Sequence, residues 1–336
     1  KERVERAEKT LVNWLEEGTV VVGDGAMGTK LQDAGLTDGG APELWNVERP
    51  EAISAIHRAY AEAGAQIVTT NTFGGTTARL KMHNLEDRVY ELNKAGAEVA
   101  RAVADEFGAL VAGDIGPSGD LIEPVGPLTI DEAVAMFSEQ VNGLIDGGAD
   151  FILIETMSHL NEVEAAIRGV RSIDADIPIV ATMSFDTNYR TMMGVTPQAA
   201  VEAIAAMGAV AIGANCGNGP QEIEIVMTQM AQHRPEGVYL IAQSNAGLPQ
   251  FVDGNIAYDG TPAVMADNAL RSRNLGINVI GACCGSTPEH IAAMRTALDA
   301  AKEQPIAGPP PIGAAATSGP TTPERQGRRA RRKRGE

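Results

Sequence analysis

The three cysteines of this 336-residue chain are the residues whose type and spacing first suggest chemistry. Cys216 stands in an N-C-G segment, and Cys283 and Cys284 are neighbours in the segment G-A-C-C-G. A disulfide between these neighbours would need a strained ring, because their Cα atoms are closer than a disulfide prefers. Three thiolates suit a tetrahedral zinc ion whose fourth position stays open for catalysis. The competing interpretation is that the cysteines are small buried hydrophobic residues.

Zinc held by three thiolates favours one kind of reaction. Such a centre carries a net negative charge, so it is a poor Lewis acid for splitting water. It is well suited to binding a substrate thiol, whose ordinary pKa of about 8.5 keeps it mostly protonated until a metal displaces the proton. The cysteines therefore predict attack by a zinc-bound thiolate on an activated carbon atom.

Elements that could position these cysteines alternate along the chain. Short apolar, strand-like runs alternate with helical stretches that carry apolar residues at three- and four-residue spacing. The strand-like runs are 19–24, 65–71, 109–115, 150–156, 177–185, 209–216, 238–245 and 277–284. The helical stretches are 50–63, 86–107, 131–147, 159–172, 196–207, 220–233, 261–275 and 288–302. Eight such units predict an α/β fold, a single-domain (β/α)₈ TIM barrel, and a doubly wound open sheet is the main alternative.

A barrel of this type carries its chemistry on the loops that follow the carboxyl ends of the strands. All three cysteines lie at these ends, after the sixth and eighth strands, which are separated by one strand or roughly 10 Å. The other strand ends are polar too, although each such residue could simply cap the following helix. They are Asp24, Asn71, Asp114, Glu155, Ser184, Asn215 and Asn245.

The glycine-rich segment Gly23–Gly28 matches the G-x-G-x-x-G pattern of dinucleotide sites and directly follows a predicted strand. Two features disfavour that function. The predicted second strand ends in Asn71 instead of an acidic residue. The polar segment 37–50, which comes after the glycine-rich segment, predicts that the next helix starts late. We interpret the segment as a set of backbone N–H groups for a small anion such as a carboxylate.

Composition excludes several classes of function. The net charge of −17 opposes binding to nucleic acid, and no apolar run is long enough to span a membrane. An odd, small number of cysteines indicates a reducing compartment, so we expect a cytoplasmic protein. The barrel domain is predicted at 1–304. A Pro/Gly-rich linker and basic tail, predicted to be disordered, occupies 305–336, and its last thirteen residues carry seven Lys/Arg against two Glu.

Seven motifs together resemble the homocysteine S-methyltransferase family, and most closely the homocysteine-binding module of cobalamin-dependent methionine synthase. The resemblance covers roughly residues 10–302 and implies a (β/α)₈ barrel, in agreement with the strand pattern. The motifs are GDGAMGTKLQ (23–32), TTNTFGGTTARL (69–80), GDIGPSG (113–119), IETMSHLNEVEAAI (154–167), GANCGNGP (213–220), SNAG (244–247) and GACCGSTPEHI (281–291).

The resemblance implies roles for individual residues. Cys216, Cys283 and Cys284 would bind Zn²⁺, and Asn245 would supply an oxygen ligand while homocysteine is absent. The substrate would be held by Asp24 and Glu155 at its ammonium group and by backbone N–H groups at its carboxylate. The residues expected around that carboxylate and in the rest of the substrate pocket are Ala26, Met27, Gly28, Asn71 and Ser184.

The implied function is zinc-dependent transfer of a methyl group to homocysteine, which forms methionine. The implied donor is a methylated corrinoid (methylcobalamin), supplied in trans by a corrinoid protein or by further methionine-synthase modules. S-methylmethionine or betaine as donor, or another thiol as acceptor, are alternatives. Betaine is disfavoured because Gly74 stands where betaine-using relatives place a tyrosine and the chain has few aromatic residues for a cage around a quaternary ammonium group. Separately, Gln243-Ser244 replaces the Glu-Pro or Tyr-Pro pair common in methionine synthases, which bears on the thiol pocket and the acceptor.

Two other classes of function compete with this interpretation. A zinc hydrolase on the same barrel would need histidine or carboxylate ligands and a general base. Of the five histidines, only His159 is expected near the barrel rim. A non-catalytic scaffold that binds a partner through its basic tail is the other alternative, and it would have no reason to retain zinc. The remaining histidines are His57, His83, His233 and His290.

Overall fold

The computed structural model describes residues 10–252 and 255–311, so most of the predicted linker and tail lies outside the described residues. Eight parallel strands form one sheet in the order β1-β10-β7-β6-β5-β4-β3-β2. Seven of them lie within the predicted runs, and the fourth along the chain ends one residue beyond the run 150–156. They are β1 (Val21–Val22), β2 (Ile67–Thr69), β3 (Leu110–Ile115), β4 (Phe151–Met157), β5 (Ile179–Met183), β6 (Ala211–Cys216), β7 (Tyr239–Ser244) and β10 (Val279–Ala282).

The sheet curls into a nearly closed barrel, because its first and second strands also meet. The backbone N–H of Gln66, just before β2, donates to the carbonyl oxygen of Val22 at 2.8 Å. The side-chain oxygen of Gln66 accepts a hydrogen bond from the Val22 N–H at 3.1 Å. The predicted TIM barrel is therefore confirmed, and the doubly wound open sheet is excluded.

Helices cover the outside of the barrel between successive strands. The eight predicted helices are all present, and five of them begin with proline at the first helical position, which suits its fixed φ and missing N–H. They are α4 (Pro50–Glu62), α6 (Val89–Phe107), α7 (Ile130–Asp146), α8 (Leu160–Ile173), α9 (Pro197–Ala206), α10 (Pro220–Gln232), α11 (Pro262–Asn274) and α12 (Pro288–Ala300). None of the described helices is long and apolar enough to cross a membrane.

Several short elements were not predicted from the sequence. They are α1 (Leu11–Glu16), α2 (Gly28–Asp33), α3 (Trp45–Glu48), α5 (Thr77–Lys81) and an antiparallel hairpin of β8 (Pro249–Val252) and β9 (Asn255–Tyr258). The prediction that a helix starts late after the glycine-rich segment was wrong, because α2 begins at Gly28 itself. Helices of four to six residues show too little periodicity to be recognised in a sequence.

The barrel interior is apolar at the lower end, where the strands begin, and polar at the upper end, where the strands finish. At the lower end, Leu11 and Leu15 of α1 pack against the first inward-facing residues of the strands, such as Phe151 and Val279. Successive inward-facing residues of a strand are two positions apart. Ala112 is therefore followed by Asp114 and Leu153 by Glu155, so the interior becomes polar towards the carboxyl ends of the strands.

Candidate metal and substrate site

A cavity of about 600 Å³ lies at the carboxyl ends of the barrel strands. Its wall contains the three cysteines, two of the predicted substrate-binding carboxylates and much of the glycine-rich segment. Among the lining residues are Asp24, Ala26, Met27, Gly28, Glu43, Tyr60, Asn71, Phe73, Arg79, His83, Asp114, Glu155, Cys216, Gln243, Cys283 and Cys284. The fold thus brings together side chains that are up to 260 positions apart in the sequence.

The three cysteines form one compact cluster of free thiols. The sulfur of Cys283 lies 2.9 Å from that of Cys216 and 4.0 Å from that of Cys284. Sulfur atoms around tetrahedral zinc are about 3.8 Å apart, as follows from Zn–S bonds of about 2.3 Å. All three sulfurs lie within 4.8 Å of one another and are partly exposed to the cavity. The three-thiol donor set therefore fits a zinc ion, and the Cys216–Cys283 pair would have to open by about 0.9 Å to reach this spacing.

The cysteine cluster concentrates its negative charge on one sulfur. Hydrogen bonds from Cys216 and Cys283, supplemented by one from the Tyr258 hydroxyl at the end of the hairpin, lower the pKa of Cys284 to about 3. The thiol of Cys283 has its pKa raised, because it is hydrogen-bonded to Cys216 and Cys284 and is buried. The lowered pKa of Cys284 favours its thiolate form, and a ligand that has already lost its proton lowers the proton cost of metal binding.

Asn245 lies between the two cysteine segments. Its side-chain N–H donates to the carbonyl oxygen of Gly217, next to Cys216, at 2.8 Å. The following N–H, that of Ala246, donates to the carbonyl oxygen of Cys284 at 2.9 Å. The side-chain oxygen of Asn245 is buried and has no hydrogen-bond partner. An orphaned buried oxygen beside a thiol cluster is what the fourth ligand of a resting metal site requires.

Buried carboxyl groups line the same cavity as the thiols, and burial raises their pKa values. Burial raises the pKa of Asp24 to about 6, although the N–H and hydroxyl of Thr69 both donate to its oxygens at 2.7 Å. Burial, with the charges of Asp24 and Cys284, raises the pKa of Glu155 to about 8. Asp114 is shifted upward in the same way, and one of its oxygens has no partner. This acidic wall would be stabilised by a bound cation such as an ammonium group.

Replacing Glu155 with glutamine is expected to stabilise the metal-free protein, and increasingly so as the pH rises. Folding raises the pKa of Glu155 from 4.5 to about 8. The contribution of this carboxyl to the free energy of unfolding is therefore fully present below about pH 4.5 and is lost as the pH rises through 8. We expect a higher Tm for Glu155→Gln than for the unsubstituted chain at pH 8, by about 2 °C or more, and a smaller difference at pH 5. Circular dichroism melts check this, with exposed Glu202→Gln as the control, and an equal difference at both pH values would contradict it.

The glycine-rich segment is less free to bind an anion than the sequence suggests. The N–H of Ala26 already donates to the hydroxyl of Ser286 at 2.9 Å, and its carbonyl oxygen accepts from the Tyr60 hydroxyl at 2.7 Å. The backbone of Met27 and Gly28 also lines the cavity. The predicted carboxylate contacts therefore remain open for Met27 and Gly28, whereas Ala26 serves to fix the segment.

Two other predicted substrate residues are placed differently from the carboxylates. The side-chain amide of Asn71 lines the cavity but donates to the Pro42 carbonyl at 2.8 Å and to Asn46 at 3.1 Å, so it holds the preceding loop. Ser184 follows the end of β5 and is not among the cavity-lining residues. Its role in the substrate pocket stays a prediction.

The cavity also contains charged residues that the sequence did not single out. His83 and Arg79 lie in its wall, brought there by α5, so the expectation that only His159 would approach the rim was wrong. The guanidinium of Arg79 lies 5.9 Å from the ring centre of Phe73. It forms no hydrogen bond or ion pair with the part of the chain that the structure describes, and its Nε is buried.

Comparison with known proteins identifies the family. The model of the family described as homocysteine S-methyltransferase matches residues 21–298, which include all three cysteines and the acidic wall. The chain belongs to the homocysteine S-methyltransferase family. The resemblance seen in the sequence motifs is thereby confirmed.

Relatives within this homocysteine S-methyltransferase family include larger proteins. The chain is 36 % identical over 296 residues to a methionine synthase of Mycobacterium tuberculosis, covering 83 % of this chain and 24 % of that protein. A methionine synthase of Mycobacterium leprae is 34 % identical over the same shares. The chain thus spans about a quarter of the length of these relatives.

A solved member of similar size has the same fold. The homocysteine methyltransferase MmuM from Escherichia coli, in a form described as oxidized, gives a TM-score of 0.68 at 25 % identity, covering 82 % of this chain and 95 % of that one. A metallated form of MmuM gives a TM-score of 0.70 at 24 % identity, covering 84 % and 97 %.

Proposed function

We propose that this chain transfers a methyl group to the sulfur of homocysteine and forms methionine, with zinc bound by Cys216, Cys283 and Cys284. The observation that supports this proposal best is that the thiol cluster and the carboxyls of Asp24 and Glu155 face one cavity. The cavity thus has a metal site that would bind a thiol and an acidic site that would bind an ammonium group. An amino acid with a thiol side chain needs both. The metallated form of the MmuM structure and the membership of the family agree with it.

In the proposed reaction, each group of residues in the cavity would have its own role. Zinc bound to the thiol cluster would supply a Lewis acid that keeps the substrate sulfur deprotonated and nucleophilic. Asp24 and Glu155 hold the ammonium group, and the backbone of Met27 and Gly28 takes the carboxylate, which fixes the sulfur in one orientation. Asn245 supplies its free oxygen to the metal while the substrate is absent. The open side of the cavity leaves room for a donor to approach the sulfur.

For the donor, we propose a methylated corrinoid presented in trans, by a corrinoid protein or by further methionine-synthase modules. The mycobacterial relatives are methionine synthases about four times as long as the matched region, so they have room for such modules. Betaine is again disfavoured, because the aromatic side chains among the described lining residues are only Tyr60 and Phe73, and Tyr60 is hydrogen-bonded to Ala26.

The direct test is a methyl-transfer assay on the zinc-loaded chain with homocysteine. Methylcobalamin, methyltetrahydrofolate, S-methylmethionine and betaine are supplied separately, and methionine is quantified. Methionine formed from methylcobalamin supports the proposal, and retained zinc measured by metal analysis separates it from a non-catalytic scaffold. A chain that retains zinc but forms no methionine with any donor would contradict it. The cluster of three thiols contains no histidine, which disfavours the zinc hydrolase.

One observation favours S-methylmethionine as a second candidate donor. At the outer end of the cavity, Glu43 is buried and accepts from the Gly74 N–H at 2.7 Å, and the charges of His83 and Arg79 act on it. The unpaired guanidinium of Arg79 and the carboxyl of Glu43 together could hold a second zwitterionic amino acid. Homocysteine alone would fill only part of a cavity of about 600 Å³.

The substitution Arg79→Gln distinguishes the two donors. Loss of a charged hydrogen bond to a carboxylate costs about 1.5–3 kcal/mol, so the KM for S-methylmethionine should rise at least about tenfold. Turnover with methylcobalamin should stay unchanged, because that donor presents no carboxylate of an amino acid to the guanidinium. Steady-state kinetics with each donor measure this. Lys81→Gln, an exposed cation of the same helix, is the matched control, and equal KM values for Arg79→Gln and the unsubstituted chain rule out the second candidate.

A further inference from the structure

A buried asparagine connects the two halves of the site. Asn215 is the residue directly before Cys216, at the end of β6, and its side chain is completely buried. Its Oδ1 accepts hydrogen bonds from the N–H of Thr156 at 2.8 Å and from the hydroxyl of Thr182 at 2.7 Å. Its Nδ2 donates to the hydroxyl oxygen of Thr156 at 2.7 Å and to the sulfur of Cys216 at 3.4 Å. The amide therefore uses both of its donors and both acceptor sites.

The two residues that Asn215 contacts on either side have an unusual backbone conformation. Thr156 has φ of 63° and Cys216 has φ of 59°, both in the left-handed region that favours glycine. For a β-branched residue such as Thr156 this conformation is rare and energetically unfavourable. Such conformations persist only where surrounding contacts hold them. Four hydrogen bonds from one buried amide provide such contacts.

Both of these residues belong to the cavity wall described above, one in each half of the site. Thr156 directly follows Glu155, whose carboxyl faces the cavity, and Cys216 is a member of the thiol cluster. The left-handed turn at each position sets the direction in which the strand leaves the barrel rim. The direction of the Glu155 carboxyl and that of the Cys216 sulfur are consequently fixed by the same side chain.

We propose that Asn215 is a positioning residue that sets the Cys216 sulfur for the metal and the Glu155 carboxylate for the substrate ammonium at the same time. The proposal rests on the proposed function for the identity of metal and substrate. Only a carboxamide of this length satisfies both partners, because Thr156 N–H needs an acceptor whereas the Cys216 sulfur needs a donor. A hydrogen bond to a metal-bound thiolate also orients it and tunes its charge.

Two substitutions separate the two halves of this role. Asn215→Ala removes all four hydrogen bonds, so it should weaken zinc binding and raise the KM for homocysteine. Asn215→Asp keeps both acceptors, and the Thr156 hydroxyl can turn to donate to the new carboxylate. It loses the donor to Cys216 and places a negative charge beside the thiolates. Asn215→Asp should therefore weaken zinc binding while leaving the homocysteine KM, measured at saturating zinc, close to that of the unsubstituted chain.

The readout is zinc affinity, measured on the full chain by competition with a chromophoric chelator, together with the absorption spectrum of the Co²⁺-substituted protein. Loss of an interaction that orients a metal ligand typically lowers metal affinity about 10- to 100-fold, which is the decrease expected for both variants. A changed Co²⁺ spectrum should accompany it. These measurements need no methyl transfer, so a chain that binds zinc but lacks the proposed activity would contradict the function and leave this inference standing.

Controls keep the test specific to Asn215. Asn268 is also a buried asparagine, donates to the Pro220 carbonyl at 3.3 Å and does not line the cavity, so Asn268→Ala should keep normal zinc affinity. If Asn215→Ala does not fold, Thr182→Val removes one hydrogen bond to Oδ1 with little change in shape and should lower zinc affinity by a smaller factor. A folded Asn215→Ala with unchanged zinc affinity and homocysteine KM would overturn the proposal. An equal loss of zinc affinity in Asn268→Ala would overturn it as well.

Discussion

Replacing Cys216 with alanine is expected to abolish both zinc retention and methyl transfer. The remaining pair of thiols, Cys283 and Cys284, would leave one of the three thiolate positions of the site empty. Structural and catalytic zinc sites depend on their full ligand set, so metal analysis of the purified variant should find almost no zinc. Methionine formation should fall to background, since a substrate thiol that is not bound to metal stays mostly protonated at neutral pH.

The control for this experiment is Asn268→Ala. Asn268 is buried but does not line the cavity, so its replacement should leave zinc content and turnover unchanged. A purified Cys216→Ala protein that holds one zinc per chain and turns over normally would disprove the metal assignment. Circular dichroism of both variants verifies that the barrel is intact.

Replacing Asp24 with asparagine is expected to weaken homocysteine binding while leaving zinc content unchanged. Asp24 is buried in the cavity wall and bonded to Thr69, and it does not belong to the thiol cluster. Loss of a charged hydrogen bond to an ammonium group costs about 1.5–3 kcal/mol, so the KM for homocysteine should rise at least about tenfold. The effect should be largest at pH 8, where Asp24, with a pKa of about 6, is ionised in the unsubstituted chain.

The pH dependence provides the second half of this test. Below pH 6 the carboxyl of Asp24 is largely protonated, so the unsubstituted chain should itself bind homocysteine weakly and the difference from Asp24→Asn should shrink. Homocysteine titrations of the zinc-loaded proteins at pH 5.5 and 8 would measure it. Asp186→Asn, an exposed acid at the end of another strand, is the matched control. Equal affinity of Asp24→Asn and the unsubstituted chain at pH 8 would remove the proposed role.

Strand counting and the polar strand ends predicted most of what the structure shows of this site. The inward-facing period of two places Glu155 above Leu153 and Asp114 above Ala112, and the order of strands brings Cys216 near Cys283. These positions follow from the pattern of buried residues in each strand, which a sequence displays directly. The fold class and the family were predictable for the same reason. The roles of the individual site residues remain predictions.

The contributions of loops were not predictable in the same way. Arg79 lies on α5, which has five residues and no readable periodicity, and His83 follows two residues after the end of that helix; both reach the cavity. The N–H of Ala26 is occupied by Ser286, 260 positions away, and no local pattern indicates such a contact. Thr156 adopts a left-handed conformation without being glycine, so the usual signal for that conformation was missing. These features arise from tertiary contacts that the sequence does not encode locally.

The closed lower end of the barrel has a consequence for the order of events during turnover. Leu11 and Leu15 seal that end, and the strand interiors above them are filled, so molecules enter and leave through one mouth only. An amino acid bound against the thiols lies at the bottom of a dead-end chamber. With the corrinoid donor proposed above, homocysteine must arrive before the donor covers the mouth, and methionine departs only after the donor has moved away. Initial-rate and product-inhibition patterns should therefore be those of an ordered sequence with homocysteine first and methionine last.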